Sequence, residues 1–195
     1  MKKGFVLLTV LLLLVIVAGG VFLWFKAGKQ VGKPADYTVS EVGQERIVEN
    51  KKAGLKVIAP EGWTVEKIAV EQGSMVFYSP DAEGVRDGKP RPPLKAGCVI
   101  EVAVAYEKKS VEDIKNEIKS IHEDLGTKVD LVEEILIGGR PFIRNKFEST
   151  DLGDSINLYT ITPNKFYGFS IYYGSSDTER CSQEFDKFLE TVSIQ

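Results

Sequence analysis

From Gly4 to Phe25 the chain carries no charged side chain: GFVLLTVLLLLVIVAGGVFLWF. Twenty-two such residues at about 1.5 Å of rise each make about 33 Å of helix, enough to cross a hydrocarbon core of about 30 Å. No other feature constrains the molecule so tightly, because a segment this apolar either spans a bilayer or is removed before the rest is used. A cleaved export signal has an apolar core of roughly 7 to 15 residues followed by small residues at the cut. Ala18-Gly19-Gly20 supplies a site of that kind, but Val21 to Phe25 continue the apolar run beyond it. The run therefore reads as a permanent signal anchor over residues 4–25, behind a cytoplasmic tail of residues 1–3. Lys2, Lys3 and the amino terminus favour an inside N-terminus, whereas Lys26, Lys29 and Lys33 pull the other way. Long C-terminal domains translocate largely regardless of such charges. The expectation is a single-pass protein of the cell membrane, held in the lipid bilayer by residues 4–25, with its body extracytoplasmic.

Lys2-Lys3-Gly4-Phe5 resembles the prepilin processing site, where a peptidase cuts after Gly and leaves Phe first. That family carries Glu at the fifth mature position, which here is Thr9. Pilins also extend the apolar segment into one long helix, whereas Gly28, Gly32 and Pro34 weaken any continuation here. A minor pilin-like envelope component processed after Gly4 is the alternative expectation.

Behind the anchor, residues 26–44 show little apolar periodicity and read as a linker, with Tyr37 to Val42 as a short turn or strand at most. Residues 45–195 have the size of one domain with a real core. Residues 1–33 hold five Lys and no acid, which leaves 20 basic and 28 acidic side chains beyond them and a net charge of −8. Such a field repels polyanions, and binding to nucleic acid depends on a basic footprint. The small cluster Arg86, Lys89, Arg91 and Lys95 does not amount to one, and nucleic acid is not an expected partner.

The body opens with short apolar runs, Arg46–Asn50, Gly54–Ala59 and Trp63–Ile68, separated by Lys51-Lys52-Ala53 and Pro60-Glu61-Gly62. Short connections of this kind favour antiparallel neighbours. A fourth strand, Ser74 to Ser79, leads into SPDAEGVRDGKPRPPLKAG, a Pro- and Gly-rich excursion from Ser79 to Gly97. Loops of that length are uncommon in compact domains and tend to be functional. In the strand after it, Cys98, Ile100, Val102, Val104 and Tyr106 share one parity. SVEDIKNEIKSIHEDLG follows as a helix capped by Ser110, with Asp113 at the capping-box position. Its apolar stripe is Val111, Ile114, Ile118, Ile121 and Leu125. Val129–Ile137 turns at Gly138-Gly139 into Arg140–Ser149; after the Thr150–Asp154 turn Ser155–Thr162 runs out, and after Pro163-Asn164 a return strand carries Tyr167, Phe169, Ile171 and Tyr173 on one face. A closing helix has Ser176 and Glu179 in a capping-box pattern and Cys181, Phe185, Phe188, Leu189 and Val192 on one face. Strands and helices segregate rather than alternate, which predicts an α+β domain with a mostly antiparallel sheet flanked by helices.

GLKVIAPEGWTVEK, the irregular loop before VIEVAVAYEKKSVEDI, the hairpin IGGRPF and the closing EFDKFLETVSI resemble the PsbP, Mog1 and DcrB-like group over nearly all of residues 45–195. The resemblance implies an α/β/α sandwich. It also implies a habit, that of anchored or exported domains assisting larger assemblies, as PsbP does at the oxygen-evolving centre of photosystem II.

The candidates for chemistry do not form a constellation. His122 is the only imidazole, beside the apolar stripe among Glu123 and Asp124, and reads as a boundary residue. Asp151 and Asp154 fit a turn, and Glu133-Glu134, adjacent on a strand, face opposite ways. Gly138-Gly139 lacks the phosphate-loop pattern, and Trp63 reads as a packing anchor. Cys98 and Cys181 match no metal-site spacing and leave two readings open, one disulfide or two buried thiols. The expectation is an accessory or protein-interaction domain without catalytic, cofactor or metal residues, contacting its partner through Arg86, Lys89, Arg91 and Lys95 in the Ser79–Gly97 loop. A hydrolase or other enzyme with an unrecognised site is the further alternative.

Overall fold

The computed structural model describes residues 30–68, 74–84, 94–125, 129–148, 154–174 and 176–195. The expected anchor lies outside the described residues, and among these no helix is long and apolar enough to cross a membrane.

Two antiparallel sheets organise the body. The smaller contains β1 (Tyr37–Val42), β2 (Glu45–Asn50), β3 (Leu55–Ile58) and the C-terminal β11 (Ser193–Ile194), in the order β11-β3-β2-β1. The larger contains β4 (Thr64–Ile68), β5 (Ser74–Tyr78), β6 (Cys98–Tyr106), β7 (Val129–Ile137), β8 (Arg140–Phe147), β9 (Asp154–Thr162) and β10 (Lys165–Tyr173), running β4-β5-β6-β10-β9-β8-β7. Helices α1 (Val111–Leu125) and α2 (Thr178–Glu190) follow β6 and β10.

Strand alternation explains how one sheet serves two cores. Phe142 and Ile143 are adjacent on β8, so their side chains leave opposite faces. Phe142 joins the main cluster with Phe77, Ile100, Phe169, Ile171, the small sheet's Leu55 and Val57, and Phe185 and Phe188 of α2. Ile143 joins Ile114 and Ile118 of α1, with Tyr159, Ile161 and Phe166 packed beside them. The helices thus cover opposite faces. Ile114 and Ile118 of the expected α1 stripe are buried, Val111 and Ile121 are exposed, and the Leu125 side chain lies outside the described residues. The helix sits over the β7–β8 edge of the sheet.

Three sequence expectations need correction. Residues 37–42 belong to the body rather than to a linker: β1 pairs with β2 along its whole length, and Tyr37 is 1% exposed. Apolar periodicity is missing because the β1 side chains after Tyr37 are exposed. Secondly, the short connection Ala59–Trp63 does not join neighbouring strands. A turn closed by the Trp63 N–H to the Pro60 carbonyl at 3.1 Å carries the chain from one sheet to the other. Thirdly, α2 is capped by Asp177 instead of a Ser176–Glu179 box, and the Asp177 side chain makes no cap hydrogen bond.

Candidate functional site

The disulfide end of the body is built on Cys98, the first residue of β6, and Cys181 on the inner face of α2. The structure joins them, with S–S 2.05 Å and Cα–Cα 5.6 Å, and neither is solvent-exposed. Around this bridge the two ends of the Ser79–Gly97 excursion are fastened by polar side chains. The Ser79 hydroxyl donates to Asp81 Oδ1 at 2.7 Å and accepts the Cys98 N–H at 2.8 Å. The Gly97 N–H donates to Asp177 Oδ2 at 3.0 Å. Arg180 then links both acids, its Nη2 lying 2.7 Å from Asp81 Oδ2 and 3.0 Å from Asp177 Oδ1. The Asp177 carboxyl is held below its ordinary pKa first by the Gly97 N–H and then by Arg180. Asp81 is lowered first by the Ser79 hydroxyl and then by Arg180.

Further out, the Glu83 N–H donates to the Ala96 carbonyl and the Lys95 N–H to the Glu83 carbonyl, each at 2.9 Å. This bridge brings the strand-like feet of the excursion together at Glu83 and Ala96. Lys95 is exposed at one foot. Arg86, Lys89 and Arg91 lie outside the described residues.

The other end of the body carries a different set of groups. The Gly32 N–H donates to the Val104 carbonyl at 2.8 Å, fixing the entering chain against β6. Tyr37 follows, its phenol raised well above its ordinary pKa by burial. Asn50 Oδ1 accepts the Ala53 N–H at 3.0 Å and the Tyr106 hydroxyl at 3.4 Å. The Ala53 carbonyl accepts from both Tyr167 Oη and Lys165 Nζ, at 2.7 and 2.8 Å. Lys67 Nζ donates to the Tyr37 carbonyl at 2.6 Å, and Lys52 Nζ stands 4.2 Å from the centroid of the Tyr106 ring.

The remaining candidates do not converge. The His122 side chain and Asp151 lie outside the described residues. Asp154 opens β9, and Trp63 is buried in the main cluster with its carbonyl bonded to Arg46. Glu133 pairs with Arg144 and Glu134 with Lys115. Gly138 and Gly139 form the β7–β8 turn. An open hollow between the Glu107–Lys109 segment and α1 is lined by charges that pair with one another, Lys109 bonding Glu107 and Glu117. Among the described residues no group of three or more His, Cys, Asp or Glu is placed to hold a metal ion.

Sequence reasoning missed both the Asp81–Arg180–Asp177 link and the lysine-rich entry end. The first had a faint signal, an Asp directly before a helix with Arg three residues on. The second requires knowing which hairpin turns share an end of the sheet.

No family model and no curated protein matches the chain. Solved structures do. The solution structure of cyanobacterial PsbP, CyanoP, from Synechocystis sp. PCC 6803 aligns with TM-score 0.56 and 12% identity, covering 80% of this chain and 95% of that one. A protein from Bacteroides thetaiotaomicron VPI-5482 aligns with TM-score 0.44 and 15% identity, over 73% of this chain and 45% of that one. A Pseudomonas aeruginosa protein of unknown function gives 0.43 and 11%, over 84% and 99%. The latter two are too distant in shape to bear on the argument. The likeness to CyanoP gives the body a PsbP-like fold.

Proposed function

We propose that the chain is a membrane-anchored, extracytoplasmic accessory protein whose body binds a protein partner through the Ser79–Gly97 segment and catalyses no reaction. The observation that carries this reading is how the polar groups at the disulfide end are used. Ser79, Asp81, Asp177 and Arg180 bond one another and the backbone of Cys98 and Gly97. They fasten the feet of a long polar excursion, and active sites are instead marked by groups left poised in a cleft. The PsbP-like fold supports an accessory role. A buried disulfide supports an oxidising compartment, since such bonds persist outside the cytosol. The uncharged run from Gly4 to Phe25 supports the anchor.

Crosslinking and purification from native membranes tests partner and compartment together. Because Glu83 and Ala96 already bridge, residues 85–94 can be replaced by a short Gly-Ser connection while the feet stay closed. The shortened chain is expected to lose the partner that the full chain retains; co-purification of the same partner at an unchanged level overturns the proposal. A mature N-terminus at Phe5 would transfer the chain to the pilin-like reading.

A further inference from the structure

Several cations on this body are neutralised by a neighbouring carboxylate. Arg46 pairs with Glu41, Lys115 with Glu134, Lys146 with Glu148 and Arg180 with two aspartates. Lys56 and Lys95 have no such partner among the described residues, and a larger set without one gathers at the end where the chain enters. Lys33, Lys51, Lys52, Lys67, Lys108 and Lys165 have no ion-pair partner among the described residues, and all but Lys165 are exposed. Contacts already described gather them: Lys165 and the Lys51–Gly54 turn meet at the Ala53 carbonyl, Lys52 lies over Tyr106, and Lys67 reaches Tyr37. Lys108 leaves β6 two residues past Tyr106, and Lys33 precedes the Pro34–Asp36 turn. Asp36 and Glu107 also lie here, the latter bonded to Lys109. The opposite end presents Asp81, Glu83, Asp177 and Glu179, with Arg180 paired to two of them and Lys95 exposed beside them. A body with an acidic surplus thus gathers these unpaired lysines at the end where the chain enters it.

We propose that this lysine end rests on the anionic headgroups of the bilayer that the anchor crosses. The inference rests on the anchor reading and adds the body's orientation to it. Residues 26–32 can reach at most about 25 Å when fully extended, so the lysines are confined close to the surface and bind it as an intramolecular event. Each lysine near an anionic surface strengthens association by about fivefold, within a screening length of about 8 Å at physiological salt. Arg140 also lies here, but its guanidinium is bonded to the Ile194 carbonyl, and lysine's compact charge suits diffuse attraction to many headgroups rather than bidentate grip on one. Eight residues of β6 separate Tyr106 from Cys98, about 26 Å of strand. Docking by the lysines therefore points the disulfide end, with the proposed contact segment, away from the lipid.

The test compares full chain in phosphatidylcholine vesicles with full chain in vesicles containing about one third phosphatidylglycerol, reading backbone hydrogen exchange. Amides at 51–54, 107–109 and 164–165 are expected to exchange several-fold more slowly on the anionic lipid and to recover in about 0.5 M salt, with amides at 81–83 unchanged. Replacing Lys51, Lys52 and Lys108 by Gln, all exposed, should lower the ratio of docked to undocked body by about 100-fold and abolish the difference. Equal exchange on the two lipids, or a difference that survives the triple replacement, overturns the proposal. A carbonate wash reports the anchor separately: release of the chain refutes the span, and the lipid comparison at saturating vesicle concentration still reads the lysine end.

Discussion

Gly97 carries the heaviest local constraint at the disulfide end. Its φ is +81°, and a Cβ there would stand 2.5 Å from Ala82 Cα, against backbone that the Ser79 carbonyl already holds through the Ala82 N–H. Gly138 has φ +57°, and a Cβ there would meet nothing within 4 Å. Gly138→Ala should therefore cost only about 1 kcal/mol of backbone strain, whereas Gly97→Ala adds a collision and should cost more than about 2 kcal/mol. Urea unfolding midpoints of the two variants check the ordering; equal losses would mean that the loop foot yields freely. Tyrosine hydroxyls give a second contrast. Tyr173 is 2% exposed and its buried hydroxyl finds no hydrogen-bond partner among the described residues, whereas Tyr167 donates to the Ala53 carbonyl at 2.7 Å. Tyr173→Phe removes an unmet desolvation penalty and should leave stability unchanged or raise it by up to about 1 kcal/mol. Tyr167→Phe loses a made bond and should lower stability by about 1 kcal/mol. Thermal midpoints measured side by side decide it.

Among the elements, α1 was the most readable and α2 the least. Ser110 Oγ accepts the Asp113 N–H at 3.1 Å, and Asp113 Oδ2 accepts the Ser110 N–H at 2.8 Å, so the reciprocal cap written in SVED is made as read. The hairpin at Gly138-Gly139 was equally local, since glycine takes two consecutive positive φ angles without steric cost. At α2 the local pattern lost to a tertiary demand. The Asp177 carboxylate is drawn to Gly97 N and Arg180, 80 residues distant in the first case. Neither the sheet switch at Pro60–Trp63 nor the β1 pairing leaves a local mark, because both depend on which face a distant sheet offers. The Asp177 contact has a pH consequence. Its folded pKa is depressed, so the unfolded chain binds the proton more tightly and this contribution is intact above the ordinary carboxylate value near 4 and lost as pH falls through the folded value. Asp177→Asn should flatten the fall of stability below about pH 4 while leaving neutral pH mildly weakened. Urea midpoints at about pH 7, 4 and 3 read this, and parallel profiles for the two proteins would remove Asp177 from the account.

At the scale of the whole molecule, the order of strands leaves one weakness that the disulfide repairs. The large sheet is sewn in sequence from β7 to β10 by hairpins, but β6 meets β10 across the intervening α1 and three strands. Every β6–β10 contact is therefore long-range, and closing that loop carries an entropic cost that rises with length. Cys98 and Cys181 lie 83 residues apart and cross this seam, tying the first residue of β6 to the helix that follows β10. Their bond limits the unfolded chain most at the contact that is hardest to form. Replacing both by Ala should lower stability by about 2–4 kcal/mol, with the loss appearing mainly as slower folding if the seam closes before the transition state. Because both sulfurs are buried, a thiol reductant should leave the native protein intact and act only in step with urea unfolding, so that reduction and loss of tryptophan signal share one midpoint. Reduction that runs ahead of unfolding would show that the disulfide end opens by itself, and the firm pedestal assigned to the Ser79–Gly97 segment would then be a hinge.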